Sequence, residues 1–151
     1  MKMNILFVCT GNTCRSPMAE AMLKEKLPQI EVQSVGIFAN ENETAHEHAM
    51  QVLEEKGISF THRSEAIRLD HMHSADIVLT MTEDHKHVLL RLFPQYKEKI
   101  FTLIEYVSTE KIPLFQGGYN IPDPFGGDVL IYRETAETLE TYIDHLVRKI
   151  N

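Results

Sequence analysis

The sequence predicts an α/β fold, a three-layer sandwich in which helices cover both faces of a parallel sheet. Short apolar segments rich in strand-forming residues alternate along the chain with segments whose apolar residues recur every three or four positions. Strands and helices that alternate in this way form parallel sheets with right-handed crossovers. Ligands bind beyond the carboxyl ends of the strands in such sheets, so the loops at that edge are the first candidates for a functional site.

The predicted elements begin close to the N-terminus. Residues 4–8 form an apolar run typical of a buried strand, and a polar loop then leads into a helix that Ser16 caps, with Pro17 at its first position and its end before Pro28. The other predicted strands are residues 30–35, 75–81 and 100–103. The other predicted helices are residues 44–56, 82–93 and 128–150.

Caps, periodicity and turn residues refine these elements. The spacing of Thr44 and Glu47 predicts a capping box at the start of the second helix. Periodicity places Ile131 with the other apolar residues on one face of the last helix. The run 111–120 has no periodicity and is rich in glycine, which predicts a surface loop.

The composition predicts a single domain spanning residues 1–151, because a chain of 151 residues with 43% hydrophobic content can bury one core. No apolar run approaches the ~20 residues of a membrane helix, and no secretory signal precedes the first strand, so we expect a cytoplasmic protein that does not bind membranes. The net charge of -7 argues against nucleic acid as a partner, since phosphate backbones are bound by clustered Lys and Arg. A monomer is expected.

The loop after the first strand has the form C-x5-R-S and carries the residues that point to chemistry. It consists of Cys9, Thr10, Gly11, Asn12, Thr13, Cys14, Arg15 and Ser16. A tight turn at Gly11 can point successive backbone N–H groups inward, and the following helix adds its own unpaired N–H groups, which together make an anion cradle. The same positive potential favours a thiolate at Cys9. The spacing therefore predicts a nucleophilic cysteine beside a bound phosphate group.

Other side chains of the loop have tasks that follow from their chemistry. Arg15 presents a planar fork of donors that can bind two phosphoryl oxygens and offset the charge that develops during transfer. Ser16 could donate to the Cys9 sulfur and ease its departure when an intermediate is hydrolysed. Asn12 could hold the shape of the loop through bonds to neighbouring backbone. Two cysteines five positions apart in a cytosolic protein are also more often reactive than structural.

Expulsion of a leaving group from phosphorus needs a proton donor, and Asp123 is the candidate. Pro122 and Pro124 restrict the backbone on both sides of it, and Gly126 and Gly127 release the chain into the last helix. A loop built this way can hold an acid over a neighbouring anion cradle. The sequence therefore indicates a general acid as well as a nucleophile.

Residues 8–17 and the pair Asp123-Pro124 resemble those of the low-molecular-weight protein tyrosine phosphatases, and the resemblance extends over essentially the whole chain. It implies a flavodoxin-like, four-stranded parallel sheet. It also implies a phosphocysteine intermediate on Cys9, transition-state binding by Arg15, and acid and then base catalysis by Asp123. No metal or other cofactor is implied.

The resemblance also covers residues around the pocket. Ser34 is similar to the family's serine that hydrogen-bonds to the loop asparagine, here Asn12. Thr13 stands where phosphotyrosine-cleaving members commonly have a bulkier aliphatic residue, and Phe125 is the one aromatic residue after the Asp-Pro pair. Both features resemble the bacterial protein arginine phosphatase branch. The expected partners are therefore phosphorylated proteins, with inorganic phosphate as product and inhibitor.

Phosphoarginine is the expected substrate of this branch, and phosphotyrosine is the alternative. The planar guanidinium of phosphoarginine carries donors that suit the carboxylate of Asp123, which could then protonate the departing nitrogen. Phe125 could stack on the guanidinium plane. Thr13 could narrow the pocket or position the hydrolytic water.

Three other functions fit parts of the pattern. A thiol-dependent arsenate reductase resembles the family in its loop but needs further cysteines, and none follows Cys14. A redox sensor would form a reversible disulfide between Cys9 and Cys14, which is compatible with catalysis. A non-catalytic phosphoprotein-binding module would need neither a nucleophile nor an acid, so the presence of both Cys9 and Asp123 argues against it.

Pairs of histidines two positions apart raise the question of a metal. Residues with this spacing point to different sides of a helix, so they could not share an ion there, and we expect them at the surface. The pairs are His46 and His48, His71 and His73, and His85 and His87.

Overall fold

The computed structural model describes residues 3–108 and 118–151. The strands in this part of the chain are β1 (Asn4–Cys9), β2 (Glu31–Gly36), β3 (Ile77–Thr80) and β4 (Ile100–Thr102). The α-helices are α1 (Arg15–Lys26), α2 (Glu47–Glu55), α3 (Leu69–Ser74), α4 (Glu83–Leu92), α5 (Leu103–Val107) and α6 (Val129–Ile150). A short 3₁₀ helix, Pro94–Lys99, precedes β4.

The four strands form one parallel sheet in the order β2-β1-β3-β4. The central strand β1 ends at Cys9, which pairs with Gly36 at the end of β2. Because the strands run in the same direction, the C-x5-R-S loop and the segment after β2 leave the sheet side by side. The predicted α/β fold with a four-stranded parallel sheet is confirmed.

Alternate residues of β1 pack into two separate cores. Ile5, Phe7 and Cys9 pack with α1, α2, α5 and α6 on one face of the sheet. Leu6 and Val8 pack with α3 and α4 on the other face. A fully buried side chain of this kind stabilises the fold by ~1.5–3 kcal/mol. The sheet is thus the middle of three layers, and Cys9 lies on the face that α1 and α6 cover.

The first helix begins earlier than predicted. α1 starts at Arg15 with Cys14 as its N-cap residue, and Met18 N already donates to Cys14 O over 3.2 Å. Ser16 and Pro17 therefore lie in the first turn, and the prediction of a Ser16 cap is wrong. The reason is that the loop turns at Asn12, whose φ of 57° is left-handed, so the chain is ready to enter the helix sooner.

The second helix begins later than predicted. Its N-cap is His46, whose Nδ1 accepts from His48 N over 3.0 Å, so the capping box of Thr44 and Glu47 is wrong. The chain before the helix is held against the loop after β1, because His46 N donates to Thr13 O over 2.8 Å. The helix can start only after this contact.

The remaining differences concern short helices and one helix face. α3 and α5 are six and five residues long, too short for a periodic pattern, and were not predicted. Asp128 caps α6 through a bond from Ile131 N, but the Ile131 side chain is 41% exposed, so its predicted place on the buried face is wrong. Of the predicted loop 111–120, residues 111–117 lie outside the described part. Among the described helices, none has the length and apolarity to cross a bilayer.

Candidate active site

The loop between β1 and α1 is held in shape by hydrogen bonds through Asn12, which is fully buried. Its side-chain nitrogen lies 2.9 Å from both Ser16 Oγ and Ser34 Oγ. Its side-chain oxygen accepts from Glu65 N over 2.9 Å, and its main-chain oxygen accepts from His62 Nε2 over 2.6 Å. The structure therefore brings Asn12 and Ser34 together, and the loop is tied to three other parts of the chain.

These contacts fix the direction of each hydrogen bond. Because Asn12 Oδ1 accepts from a backbone N–H, its nitrogen must be the donor to both serines. Ser34 then gives its own hydrogen to Glu20 Oε1 over 2.6 Å. Ser16 is left with its hydrogen for Cys9, whose sulfur lies 2.8 Å from Ser16 Oγ. The Asn12 nitrogen thus donates to two serines, and the two branches end at the Glu20 carboxylate and at the Cys9 sulfur.

Arg15 is anchored by the same segment that carries the proposed acid. Its side chain is 5% exposed, and Nη1 donates to Ile121 O over 3.0 Å. Ile121 N in turn donates to Met81 O over 2.8 Å, just beyond β3. The result is that Asp123 Oδ2 lies 3.5 Å from Arg15 Nη2.

One small cavity collects the side chains that the sequence singles out. It has a volume of about 240 Å³ and is lined by Cys9, Thr10, Gly11, Thr13, Cys14, Arg15, Asp123 and Phe125. Asp123 is half exposed, with its Oδ1 accepting from Phe125 N over 3.0 Å. A thiol, a guanidinium and a carboxylate around a cavity of this size can bind a phosphoryl group, attack it and protonate what leaves.

The second cysteine sits in an aromatic cluster behind the cavity. Cys14 Sγ lies 3.2 Å from the hydroxyl of Tyr132, and His46 stacks on the Tyr132 ring with centroids 4.9 Å apart. The rings of His46 and Phe125 are nearly perpendicular, with centroids 6.4 Å apart. Burial raises the pKa of Cys14, with the Tyr132 hydrogen bond acting in the opposite direction. Cys14 is therefore a protonated thiol at neutral pH, and Tyr132 and His46 lie between it and Phe125.

His85 is a residue of the site that sequence reasoning missed. It lies in the first turn of α4, is 7% exposed, and places Nε2 2.9 Å from Thr10 Oγ1. Burial, together with the charge of Arg15, lowers the pKa of His85 to about 4, so the ring is neutral at neutral pH. Its Nδ1 is buried without a hydrogen-bond partner among the described residues.

The unpartnered nitrogen indicates which tautomer His85 adopts. A buried N–H without an acceptor is rarer than an under-satisfied acceptor, so the proton belongs on Nε2, which donates to Thr10. The Thr10 hydroxyl hydrogen is then free for a group bound in the cavity. A signal for this residue was present in the sequence, because the helix after β3 begins at the same edge of the sheet as the loop after β1.

Glu20 and His62 were also missed. Glu20 is 8% exposed and lies four residues after Ser16, on the same face of α1, a spacing that could have revealed it. His62 is buried beneath Asn12, and nothing local in the sequence marks it. The expectation of surface histidines is wrong for His71 and His85, which are 5% and 7% exposed. Within residues 3–108 and 118–151, no group of three His, Cys, Asp or Glu side chains could hold a metal ion.

Comparison with known proteins matches this chain along its length. The family model described as low molecular weight phosphotyrosine protein phosphatase matches residues 4–151. A protein-arginine-phosphatase of Geobacillus stearothermophilus is 48% identical over 151 residues, which cover 99% of this chain and 97% of the relative. One of Bacillus subtilis is 42% identical over 153 residues, covering 98% and 97%.

A solved structure is similar in fold. It is a mutant of the arginine phosphatase YwlE, with cysteine replaced by serine and the active-site serine phosphorylated, and it aligns with a TM-score of 0.90 at 41% identity over 98% of this chain and 95% of that chain. The family model and the curated relatives agree with the resemblance predicted from the loop and the Asp-Pro pair. The chain therefore belongs to the low molecular weight phosphotyrosine protein phosphatase family.

Proposed function

We propose that this chain hydrolyses phosphoarginine in proteins through a phosphocysteine intermediate on Cys9. The observation that carries the proposal is the cavity itself, where Cys9, Arg15 and Asp123 meet with Thr13 and Phe125 in the walls. Two relatives that cover nearly the whole chain are named as protein-arginine-phosphatases, at 48% and 42% identity, which supports this choice of substrate.

In the first step the Cys9 sulfur attacks phosphorus and the bond from phosphorus to the guanidinium nitrogen breaks. Arg15 binds two of the phosphoryl oxygens with its fork of donors and offsets the charge that develops. Asp123 gives its proton to the departing nitrogen, so that a neutral leaving group becomes a protonated arginine. The products of this step are the arginine side chain and phosphocysteine.

In the second step water attacks the phosphocysteine. Asp123, now a carboxylate, accepts a proton from that water, and the bond between sulfur and phosphorus breaks. The hydrogen bond from Ser16 to the Cys9 sulfur, at 2.8 Å, stabilises the negative charge that returns to sulfur. Inorganic phosphate leaves, and because it fits the same cradle it also inhibits.

The mutant of YwlE supports Cys9 as the nucleophile. In that protein a serine introduced for cysteine carries a phosphoryl group at the active site. A side chain that becomes phosphorylated when it replaces a cysteine stands where the phosphoryl group is transferred. We assign the corresponding place to Cys9, the first residue of the C-x5-R-S loop.

The walls of the cavity favour a planar, cationic leaving group. Phe125 is 72% exposed, so its ring is available to stack on a guanidinium. With its proton on the oxygen that faces the departing nitrogen, Asp123 can still accept from a second guanidinium nitrogen with its other oxygen. Thr13 is smaller than the aliphatic residues common in phosphotyrosine-cleaving members and leaves room for the attacking water.

Phosphotyrosine is the second candidate substrate, since the family description names it. The test is to measure kcat/KM on an arginine-phosphorylated protein and on a phosphotyrosine peptide with one enzyme preparation. We expect the larger value for phosphoarginine. A larger value for phosphotyrosine would overturn the substrate assignment while leaving the Cys9 mechanism in place.

Replacing Thr13 with isoleucine tests the origin of the preference. We expect Thr13→Ile to lower kcat/KM for phosphoarginine and to raise the relative activity on phosphotyrosine, by about 10-fold in the ratio, the usual scale for one or two methyl groups in a pocket. Thr141→Ile, on the exposed face of α6, is the matched control. An unchanged ratio in Thr13→Ile would mean that another residue selects the substrate.

A further inference from the structure

Two segments that border the cavity each present an exposed phenylalanine. Phe38 lies on the segment after β2 and is 77% exposed, and Phe125 lies on the segment that carries Asp123 and is 72% exposed. Both are among the most exposed large apolar side chains of the described residues. Single exposed apolar residues are common, so their positions decide whether they matter.

The backbone that carries Phe38 is fixed against the phosphate loop. Phe38 N donates to Thr10 O and Ile37 N donates to Cys9 O, both over 2.9 Å. A Cβ at Gly36 would lie 2.5 Å from Thr10 O, so only glycine permits this approach. The Phe38 backbone is therefore fixed beside Thr10, which lines the cavity, while its side chain is exposed to solvent.

The first turn of α6 presents exposed apolar side chains as well. Leu130 is 58% exposed and Ile131 is 41% exposed, and both lie in the first turn of α6, shortly after Phe125. The Ile131 side chain packs against the segment at Gly127, within about 3 Å of where a Cβ would be. Exposed apolar side chains thus occur on the segment after β2, beside Thr10, and in the first turn of α6, a few residues after Phe125.

A cavity of about 240 Å³ accommodates a phosphorylated side chain and little else. Whatever carries that side chain must lie across the opening, which Phe125 lines and which the Phe38 backbone adjoins through its hydrogen bond to Thr10. A free phosphorylated amino acid would touch the cavity alone. A polypeptide would also cover Phe38, Leu130 and Phe125, which we call the rim, and would remove their apolar surface from water.

We propose that Phe38 and Leu130, together with Phe125, bind the polypeptide segment that flanks the phosphorylated residue of the substrate protein. The proposal rests on the proposed function in that the substrate is a phosphorylated protein. It assigns the rim to recognition of the polypeptide and the cavity to chemistry.

The test compares a large and a small substrate. We expect Phe38→Ala to raise KM for an unfolded, arginine-phosphorylated protein by about five- to tenfold, because part of one phenylalanine is no longer buried on binding, with kcat unchanged. Leu130→Ala should raise the same KM by a smaller factor. Neither variant should alter kcat/KM for free phosphoarginine. Leu92, at the far end of α4, is 56% exposed, close to the 58% of Leu130. Leu92→Ala is therefore the matched control and should change nothing.

Three results would overturn the proposal. An equal loss on free phosphoarginine would mean that Phe38 shapes the cavity, and no change with either substrate would mean that the rim does not bind. Loss of a dimer in Phe38→Ala, seen by sedimentation, would mean that a second copy of the chain covers the rim. If the enzyme cleaves phosphotyrosine rather than phosphoarginine, the same comparison between a phosphotyrosine peptide and free phosphotyrosine still decides the role of the rim.

Discussion

The phosphate loop and the acid-bearing segment differ sharply in how they are held. In the loop after β1, Asn12 and Ser16 are fully buried and Arg15 is 4% exposed. In the segment 121–127, the side chain of Asp123 is 52% exposed and Phe125 is 72% exposed. One part of the site belongs to the core and the other to the surface.

The hydrogen bonds show the same contrast. Ser34 of β2, Ser16 of α1 and the backbone N–H of Glu65 all bond to the Asn12 side chain. The segment 121–127, by contrast, is tied to the rest of the protein mainly at Ile121. The ion pair between Asp123 and Arg15 is open to water and adds little rigidity. The contrast indicates that the loop after β1 is held in shape by the protein's own hydrogen bonds. In the proposed mechanism, the exposed Asp123 serves first the leaving group and then the water.

The largest loss of activity is expected when Cys9, the proposed nucleophile in the loop after β1, is replaced. Cys9→Ser should abolish turnover, because serine keeps the shape of the side chain without its ready ionisation. Folding and phosphate binding should persist, since the cradle is built from the backbone and Arg15. Steady-state kinetics and phosphate titration by calorimetry check both halves of the prediction. Activity near that of the wild type would refute the mechanism.

The second prediction concerns Asp123, in the exposed segment 121–127. Asp123→Ala should lower kcat by ~10²–10⁴-fold, the usual contribution of a general acid, with little change in stability because the side chain is half exposed. Asp123→Asn keeps an oxygen that can accept from Phe125 N. This variant therefore separates the effect of losing the acidic proton from the effect of losing that hydrogen bond. If the rate on a substrate with a poor leaving group is unchanged, Asp123 is not the acid.

A third prediction is that the hydrogen bonds of buried Asn12 also stabilise the fold. Asn12→Ala should lower the free energy of unfolding by ~1–3 kcal/mol, because Ser34, Ser16 and Glu65 N lose a buried partner. It should lower kcat as well, since the loop loses its shape. Asn40→Ala, at an exposed position, is the control. Full activity and stability in Asn12→Ala would show that the loop does not depend on this network.

A fourth prediction is a pH dependence of stability from His85, which leaves the activity at neutral pH untouched. Its pKa in the folded state is about 4, below the value of about 6.5 expected in the unfolded chain. Between these values the unfolded state binds more protons, so the free energy of unfolding should fall as the pH falls from 6.5 towards 4. Denaturant titrations of wild type and His85→Asn at several pH values measure this. A difference between the two proteins that is constant across the window would contradict the assignment.

The sequence was sufficient for the elements whose signals are local. The strand that ends at Cys9, the loop that follows and the last helix, predicted over 128–150, could be recognised from a few neighbouring residues. The starts of α1 and α2 could not, because α1 begins after a left-handed turn at Asn12 and α2 begins after the contact of His46 N with the distant Thr13 O. For His85 the sequence indicated only the edge of the sheet, because its burial and its contact with Thr10 depend on which strands pair.

The central claim is that Cys9 takes up the phosphoryl group from arginine. The direct measurement mixes the enzyme with an arginine-phosphorylated protein, stops the reaction rapidly in acid and locates the phosphoryl group by peptide mass spectrometry. We expect it on the peptide that contains Cys9, and in larger amount in Asp123→Ala if breakdown of the intermediate becomes slow. Turnover of phosphoarginine with no phosphoryl group on Cys9 at any time point would contradict the account.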